Sequence, residues 1–164
     1  MHYPQRKPHR LQTWDYHQPG YYHITICTKD RHSILCSIHQ DNLDTRVIPT
    51  AIGQMIQKQW DQLHQHYPNI KTDYFCLMPN HIHGIIVIEP SLEGRSISLS
   101  EVVRGFKSVT TRAYNQLVPQ HQKNTLWQAS FYDEIIRNDQ MLSEVRKYIS
   151  GNPSKWLEDE LYVK

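Results

Sequence analysis

The sequence is poor in cysteine, in long apolar runs and in net charge, and each shortage argues against a class of protein. Its three cysteines, Cys27, Cys36 and Cys76, are an odd number without a Cys-x-x-Cys spacing. That argues against a disulfide framework and a thiolate zinc site. No apolar run approaches the roughly 20 residues that span a bilayer. The basic first ten residues also lack the apolar stretch of a secretory signal. We therefore expect a cytoplasmic protein with no membrane partner.

Basic and acidic residues are nearly equal in number, with 18 Lys and Arg against 16 Asp and Glu, which gives a formal net charge of +2. Such a charge permits a nucleic-acid partner but does not argue for one. Hydrophobic residues make up 38% of the 164 residues, enough to bury the core of one domain.

The spacing of apolar residues predicts an α+β fold. We expect an irregular arm over residues 1–19 and a single domain over residues 20–164. Strands are predicted over residues 21–28, 73–77, 81–88 and 126–136, and helices over 50–67, 98–117, 139–150 and 153–160. Residues 29–49 lack a clear period and are expected to form a loop or short elements. The order β-α-β-β-α-β followed by helices predicts a ferredoxin-like sandwich with an antiparallel sheet and a carboxy-terminal helical extension.

The helix over residues 98–117 has the clearest pattern. Ser98 and Glu101 match a capping box. Its apolar stripe is Leu99, Val102, Phe106, Val109, Ala113 and Leu117.

The pair His81 and His83 lies at the start of a predicted strand. Side chains two apart on a strand point to one face, so both imidazoles can reach one ion. His64 and His66 have the same spacing on a predicted helix, where positions i and i+2 do not face each other. The residues after the pair, Gly84-Ile85-Ile86-Val87, lack the carboxylate of a cupin and the Asp-His of a metallo-β-lactamase. Taken alone, the pair is equally consistent with metal ligands and with a polar strand end.

Tyr148 and Asn152 are spaced i, i+4 at the end of a predicted helix. Taken alone, Tyr148 is consistent with a half-buried core aromatic residue. Asn152 precedes Pro153 and is equally consistent with a cap for the final helix.

Together these motifs resemble those of a known family. Met78-Pro79-Asn80-His81-Ile82-His83 resembles the "MPNHxH" signature of HUH single-tyrosine (IS200-like) transposases. The stretch from Tyr148-Ile149 to Asn152-Pro153 resembles the REP-associated tyrosine transposase branch, and so do Trp127-Gln128, Phe131-Tyr132-Asp133 and Ile136-Arg137-Asn138. The resemblance runs from about residue 14 to about residue 156, in the family's order.

The resemblance implies a metal-dependent endonuclease and strand transferase that acts on single-stranded or hairpin DNA. Mg²⁺ or Mn²⁺ would be bound by His81, His83 and the amide oxygen of Asn152, where many relatives carry Gln. The Tyr148 hydroxyl would attack phosphorus and give a 5′-phosphotyrosine. A homodimer is compatible with the resemblance.

DNA-binding candidates lie on the polar side of helix 98–117. Arg104, Lys107 and Arg112 are candidates for phosphate contacts, and a solvated helix face is the alternative. Arg6, Lys7, His9 and Arg10 of the amino-terminal arm are also expected to touch a DNA hairpin.

Three other functions fit part of the sequence. One is a domesticated hairpin-binding protein that has lost cleavage. The retention of His81, His83 and Tyr148 argues against this function. Another is a replication initiator or relaxase, which usually has a longer chain and often a paired tyrosine. The last is a metal-dependent hydrolase unrelated to DNA, whose usual carboxylates are missing near the His pair.

Overall fold

A four-stranded antiparallel sheet organises the protein. The computed structural model describes residue 11 and residues 13–42, 44–92 and 94–163. The sheet contains β1 (Gly20–Cys27), β4 (Ile70–Leu77), β5 (His81–Ile88) and β6 (Tyr132–Ile136) in the order β4-β5-β1-β6, and every neighbouring pair is antiparallel. This order confirms the predicted α+β ferredoxin-like sheet.

Strand β5 occupies the interior of the sheet and is apolar on both faces. Ile82, Ile86 and Ile88 join the larger of two hydrophobic clusters, whereas Ile85 and Val87 join the smaller one on the opposite face. The strand is therefore buried on both faces, which requires a covering layer on each face.

Helices α1 (Ala51–Asp61) and α3 (Leu99–Leu117) cover the face with the larger cluster. Thr50 caps α1, and the predicted capping box of Ser98 and Glu101 is present on α3. On this face the Trp60 indole lies directly against the Cα of Gly84, where an added Cβ would overlap the ring.

Helix α4 (Asp139–Gly151) covers the opposite face. Its buried residues Leu142, Val145 and Ile149 belong to the smaller cluster. An ion pair between Arg146 and Asp73 of β4 also ties it to the sheet. A 3₁₀ segment, Pro153–Glu158, follows α4 directly and buries Trp156 in the same cluster.

Several predicted elements differ from those observed. Residues 29–49 contain a 3₁₀ turn, Lys29–Arg31, and a separate hairpin of β2 (Cys36–Gln40) and β3 (Thr45–Pro49). The helix predicted over residues 50–67 is interrupted at Gln62, after which α2 (Leu63–His66) forms. The strand predicted over residues 126–136 is reduced to β6, and Trp127 makes only an isolated bridge to Thr28.

The apolar stripe predicted for α3 is correct in its first half only. Val103 and Thr110 are buried, whereas Leu117 is 52% exposed. The Trp127 indole donates a hydrogen bond to the Thr110 hydroxyl at 2.8 Å, which makes this polar position part of the core.

The predicted amino-terminal arm falls partly outside the described residues, which include neither Arg6, Lys7, His9 nor Arg10. Trp14 and Tyr16 pack against the larger cluster. In the part of the chain that the structure describes, no helix has the length and apolar character to cross a membrane.

Candidate active site

His81 and His83 project from β5 toward the layer that contains α4. Both are buried, with 0% and 3% of their surface exposed. Their Nε2 atoms are 3.1 Å apart. Two imidazole ligands at adjacent positions of an octahedral ion, each about 2.1 Å away, would be about 3.0 Å apart. The spacing of the two nitrogens therefore fits a shared cation.

Asn80 orients the imidazole of His81. The Asn80 Nδ2 donates to the Leu161 carbonyl at 2.7 Å, and its Oδ1 lies 2.8 Å from His81 Nδ1. An amide oxygen only accepts, so His81 carries its proton on Nδ1. The lone pair on Nε2 is then available for a ligand, the usual arrangement of a metal-binding histidine.

His83 is held by two side chains of β1. Its Nδ1 is 2.9 Å from the Thr25 hydroxyl and 3.3 Å from Nε2 of His23. The register of the sheet causes this contact, since Thr25 is the direct partner of His83 across the β1–β5 ladder. On its far side, the His23 Nδ1 lies 3.8 Å from a Glu134 carboxylate oxygen.

Burial keeps these three imidazoles neutral. Desolvation lowers the pKa of His23 to about 4. The pKa of His81 is lowered to about 3 by desolvation and then by the charge of Arg31. The pKa of His83 is lowered to about 2 by desolvation and then by His81 and His23. Neutral imidazole is the form that binds a metal ion.

Tyr148 lies on α4 beside His83 and His23. Its ring centroid is 5.4 Å from that of His83 and 5.9 Å from that of His23, and both contacts are edge-on. The side chain remains 55% exposed, which leaves the hydroxyl accessible to a large substrate.

Asn152 caps the carboxy-terminal end of α4. It is 6% exposed, and its Nδ2 donates to the Tyr148 carbonyl at 2.9 Å. That bond assigns the amide nitrogen to the helix end and leaves Oδ1 as the atom able to bind a cation.

An open cavity of about 490 Å³ connects these groups. Its lining includes Thr25, His83, Tyr132, Tyr148, Asn152 and Asp159. Tyr148, His83 and Asn152 thus border one cavity, and His81 is joined to them by its 3.1 Å contact with His83.

Asp159 is a member of the site that the sequence analysis does not single out. Its Oδ2 lies 3.7 Å from Nε2 of His81. One donor atom from each of His81, His83 and Asp159 lies within 4.8 Å of the other two. Asp159 stands between Glu158 and Glu160, and such an acidic run is normally a solvated surface. No local pattern separates the central residue from its neighbours.

The basic residues of α3 lie away from the cavity that contains His83 and Tyr148. Helix α3 covers the face of the sheet opposite to His81 and His83, and Arg104 and Arg112 are exposed there. The Lys107 ammonium donates to the carbonyls of Gln128, Ala129 and Ser130 at 2.7, 3.2 and 3.0 Å. This lysine therefore holds a loop of its own chain.

A family model and two curated proteins match most of the chain. The family model described as "Transposase IS200 like" matches residues 17–152. An uncharacterized protein of Haemophilus influenzae is 29% identical over 180 residues, which cover 96% of this chain and 93% of that protein. A second H. influenzae protein, named "Putative REP-associated tyrosine transposase", is 24% identical over 144 residues, covering 86% of this chain and 74% of its own length.

A solved structure has the same fold. It is that of a REP-associated tyrosine transposase bound to a REP hairpin, with a TM-score of 0.63 and 21% sequence identity. The similarity covers 89% of this chain and 73% of that one.

Proposed function

The chain belongs to the IS200-like transposase family, and on that premise we propose that it cleaves and rejoins single-stranded DNA through a tyrosine on α4. Residues 20–164 would act as one nuclease domain. The observation that carries the proposal is the position of the Tyr148 ring, 5.4 Å from the ring of His83 in a shared open cavity.

The proposed reaction is a transesterification at phosphorus. The Tyr148 oxygen forms a bond to the phosphorus atom, and the bond from phosphorus to the 3′ oxygen of the preceding nucleotide breaks. The phenolic proton is lost from Tyr148, and the departing oxygen gains one to become a 3′-OH. The product is a 5′-phosphotyrosine that retains a phosphodiester bond, so a 3′-OH can reverse the reaction and join a strand.

His81, His83 and the Asn152 oxygen would hold Mg²⁺ or Mn²⁺. The donor set fits, because the Nε2 atoms of the two histidines face each other and burial keeps both rings neutral. A bound divalent ion would polarise the scissile phosphate. Asn80 and Thr25 fix the two imidazole orientations before DNA arrives.

We propose a hairpin with a single-stranded flank as the DNA partner. The support is the solved REP-associated transposase of the same fold, which is bound to a REP hairpin. Arg104 and Arg112 would contact phosphates from the exposed side of α3. Lys107 would support binding indirectly through the loop at residues 128–130, which its ammonium holds.

Covalent trapping tests the reaction. Incubation with Mn²⁺ and a hairpin oligonucleotide bearing a 3′ single-stranded flank should give a protein–DNA adduct on a denaturing gel. Mass spectrometry of the digested adduct should locate the DNA on Tyr148. Tyr148→Phe should abolish the adduct while hairpin binding persists.

Tyr132 provides the matched control. It lines the same cavity from β6 and is 43% exposed, so Tyr132→Phe tests whether any tyrosine in the cavity suffices. That variant should still form the adduct. Tight hairpin binding without an adduct under any divalent metal would favour the alternative of a binding protein that has lost cleavage.

A further inference from the structure

We propose that Asp159 is an anionic ligand of the cation at His81 and His83, and that it couples the carboxy-terminal segment, residues 153–163, to the metal. The inference rests on the proposed function. It adds a residue beyond the segment matched by the family model, which ends at residue 152.

The position of the carboxylate is the first argument. Asp159 Oδ2 lies 3.7 Å from His81 Nε2, which is too far for a direct hydrogen bond. The same Nε2 lies 3.1 Å from its counterpart on His83. Three donor atoms within 4.8 Å of one another therefore converge on one point, and the carboxylate oxygen makes no direct hydrogen bond to His81 Nε2 there. A divalent cation among them would satisfy all three.

The way in which the carboxylate is held is the second argument. The backbone N–H of Leu161 donates to Asp159 Oδ1 at 2.7 Å. That bond fixes one oxygen and leaves Oδ2 as the atom nearest His81. The side chain is only 9% exposed, and a buried carboxylate is costly unless it is paired or bound to a metal.

The segment that contains Asp159 is docked on His81 from several sides. The Leu161 carbonyl accepts from Asn80, the residue that orients His81. The Trp156 ring lies 6.0 Å from the His81 ring, and Tyr162 packs edge-on against Trp156 at 5.1 Å. This hydrogen bond and these ring contacts hold the Asp159 carboxylate beside His81.

A carboxylate ligand would change the character of the site. Two imidazoles and an amide leave a divalent ion with its full charge, whereas one carboxylate reduces the net charge of the ion and its ligands by one. Carboxylate oxygen also favours Mg²⁺ and Mn²⁺ relative to a site of imidazole alone. Asp159 would thus bias the site toward hard cations.

Mn²⁺ binding followed by electron paramagnetic resonance tests the proposal without activity. Asp159→Asn preserves the shape of the side chain and removes its charge. We expect the Mn²⁺ dissociation constant to rise by about 10- to 100-fold, as losses of this kind do at other metal sites. Glu158→Gln and Glu160→Gln are the matched controls, because both carboxylates line the same cavity and are exposed. Each should change the constant by less than about twofold, since exposed charges act weakly.

The outcomes separate this inference from the proposed function. If the wild type binds Mn²⁺, His81→Ala abolishes binding and Asp159→Asn binds as the wild type does, the inference fails and the proposed function stands. If the wild-type protein binds no Mn²⁺, the metal site of the proposed function fails together with it.

A second measurement covers the case in which Asp159→Asn does not fold. Hydrogen exchange of the wild-type protein, with and without Mg²⁺, should show slower exchange across residues 159–162 in the presence of the ion. Unchanged exchange at saturating Mg²⁺ would overturn the coupling of the segment to the metal.

Discussion

At the scale of the residue, Asn80 joins two parts of the site through one amide. Its oxygen fixes His81, and its nitrogen holds the Leu161 carbonyl. If a cation binds at His81 as proposed, Asn80 would control its affinity without touching it, and the loss of such a residue typically costs about 10- to 100-fold in affinity.

Two variants of Asn80 separate these roles. Asn80→Ala should weaken Mn²⁺ binding by about 10-fold or more, because His81 loses its orienting acceptor. Asn80→Asp keeps that acceptor, replaces the donor to Leu161 with a carboxylate oxygen and adds a negative charge beside His81, so it should retain most of the Mn²⁺ affinity while losing the bond to Leu161. Isothermal titration with Mn²⁺ measures both. Equal loss in the two variants would mean that the bond to Leu161 controls the site.

At the scale of the element, α3 carries basic residues with two different structural roles. Arg104 and Arg112 are exposed, whereas Lys107 donates to three backbone carbonyls. If the arginines contact phosphates, each contributes about one released counterion to DNA binding.

The salt dependence of hairpin binding distinguishes the roles. The double variant Arg104→Ala, Arg112→Ala should reduce the slope of log K against log salt by about 1.4–1.8, the range for two phosphates on single- and double-stranded DNA. Lys107→Met should instead lower the free energy of unfolding by about 1–3 kcal/mol, the usual cost of charge-assisted hydrogen bonds. Fluorescence anisotropy across a salt series and urea unfolding measure the two effects. An unaltered slope in the double variant would assign the arginines to a solvated face.

Some elements could be predicted from patterns in the sequence, and others could not. The hairpin of β4 and β5 could be predicted because its turn residues, Met78-Pro79-Asn80, and its apolar runs are local signals. The hairpin of β2 and β3 could not, since Cys36 is the only buried residue of these two five-residue strands, and the alternation of Cys36 with Ile38 is too short to stand out in the sequence. The same limit applies to the site. His81 and His83 share a face because of a spacing of two residues, but Asp159 reaches His81 only through the docking of the carboxy-terminal segment.

At the scale of the whole molecule, buried neutral histidines link stability to pH. In the folded state, the pKa values of His23, His81 and His83 are about 4, 3 and 2. In the unfolded chain, they return to about 6.5. Below about pH 6.5 the unfolded state therefore binds more protons, so stability is present above that pH and is lost as the pH falls toward the folded-state pKa values.

Urea unfolding in the presence of a chelator measures this linkage. The free energy of unfolding should decrease between about pH 7 and about pH 5, with a slope that approaches about 1.4 kcal/mol per pH unit for each histidine. Replacing His83 with Gln should reduce the slope. Replacing the exposed His64 of α2 with Gln is the matched control and should leave it unchanged. A midpoint that does not move across this range would contradict the buried neutral state of the three imidazoles.

The placement of Tyr148 next to His83 within one chain has a consequence for stoichiometry. If Tyr148 is the nucleophile proposed above, one copy of the protein contains both the tyrosine and the proposed metal ligands, so the initial rate of cleavage should increase linearly with protein concentration. That copy would also offer a single attachment point, which could hold only one DNA end at a time. Joining two different ends then requires either a released 3′-OH that returns to the same tyrosine or a second copy that carries the other end.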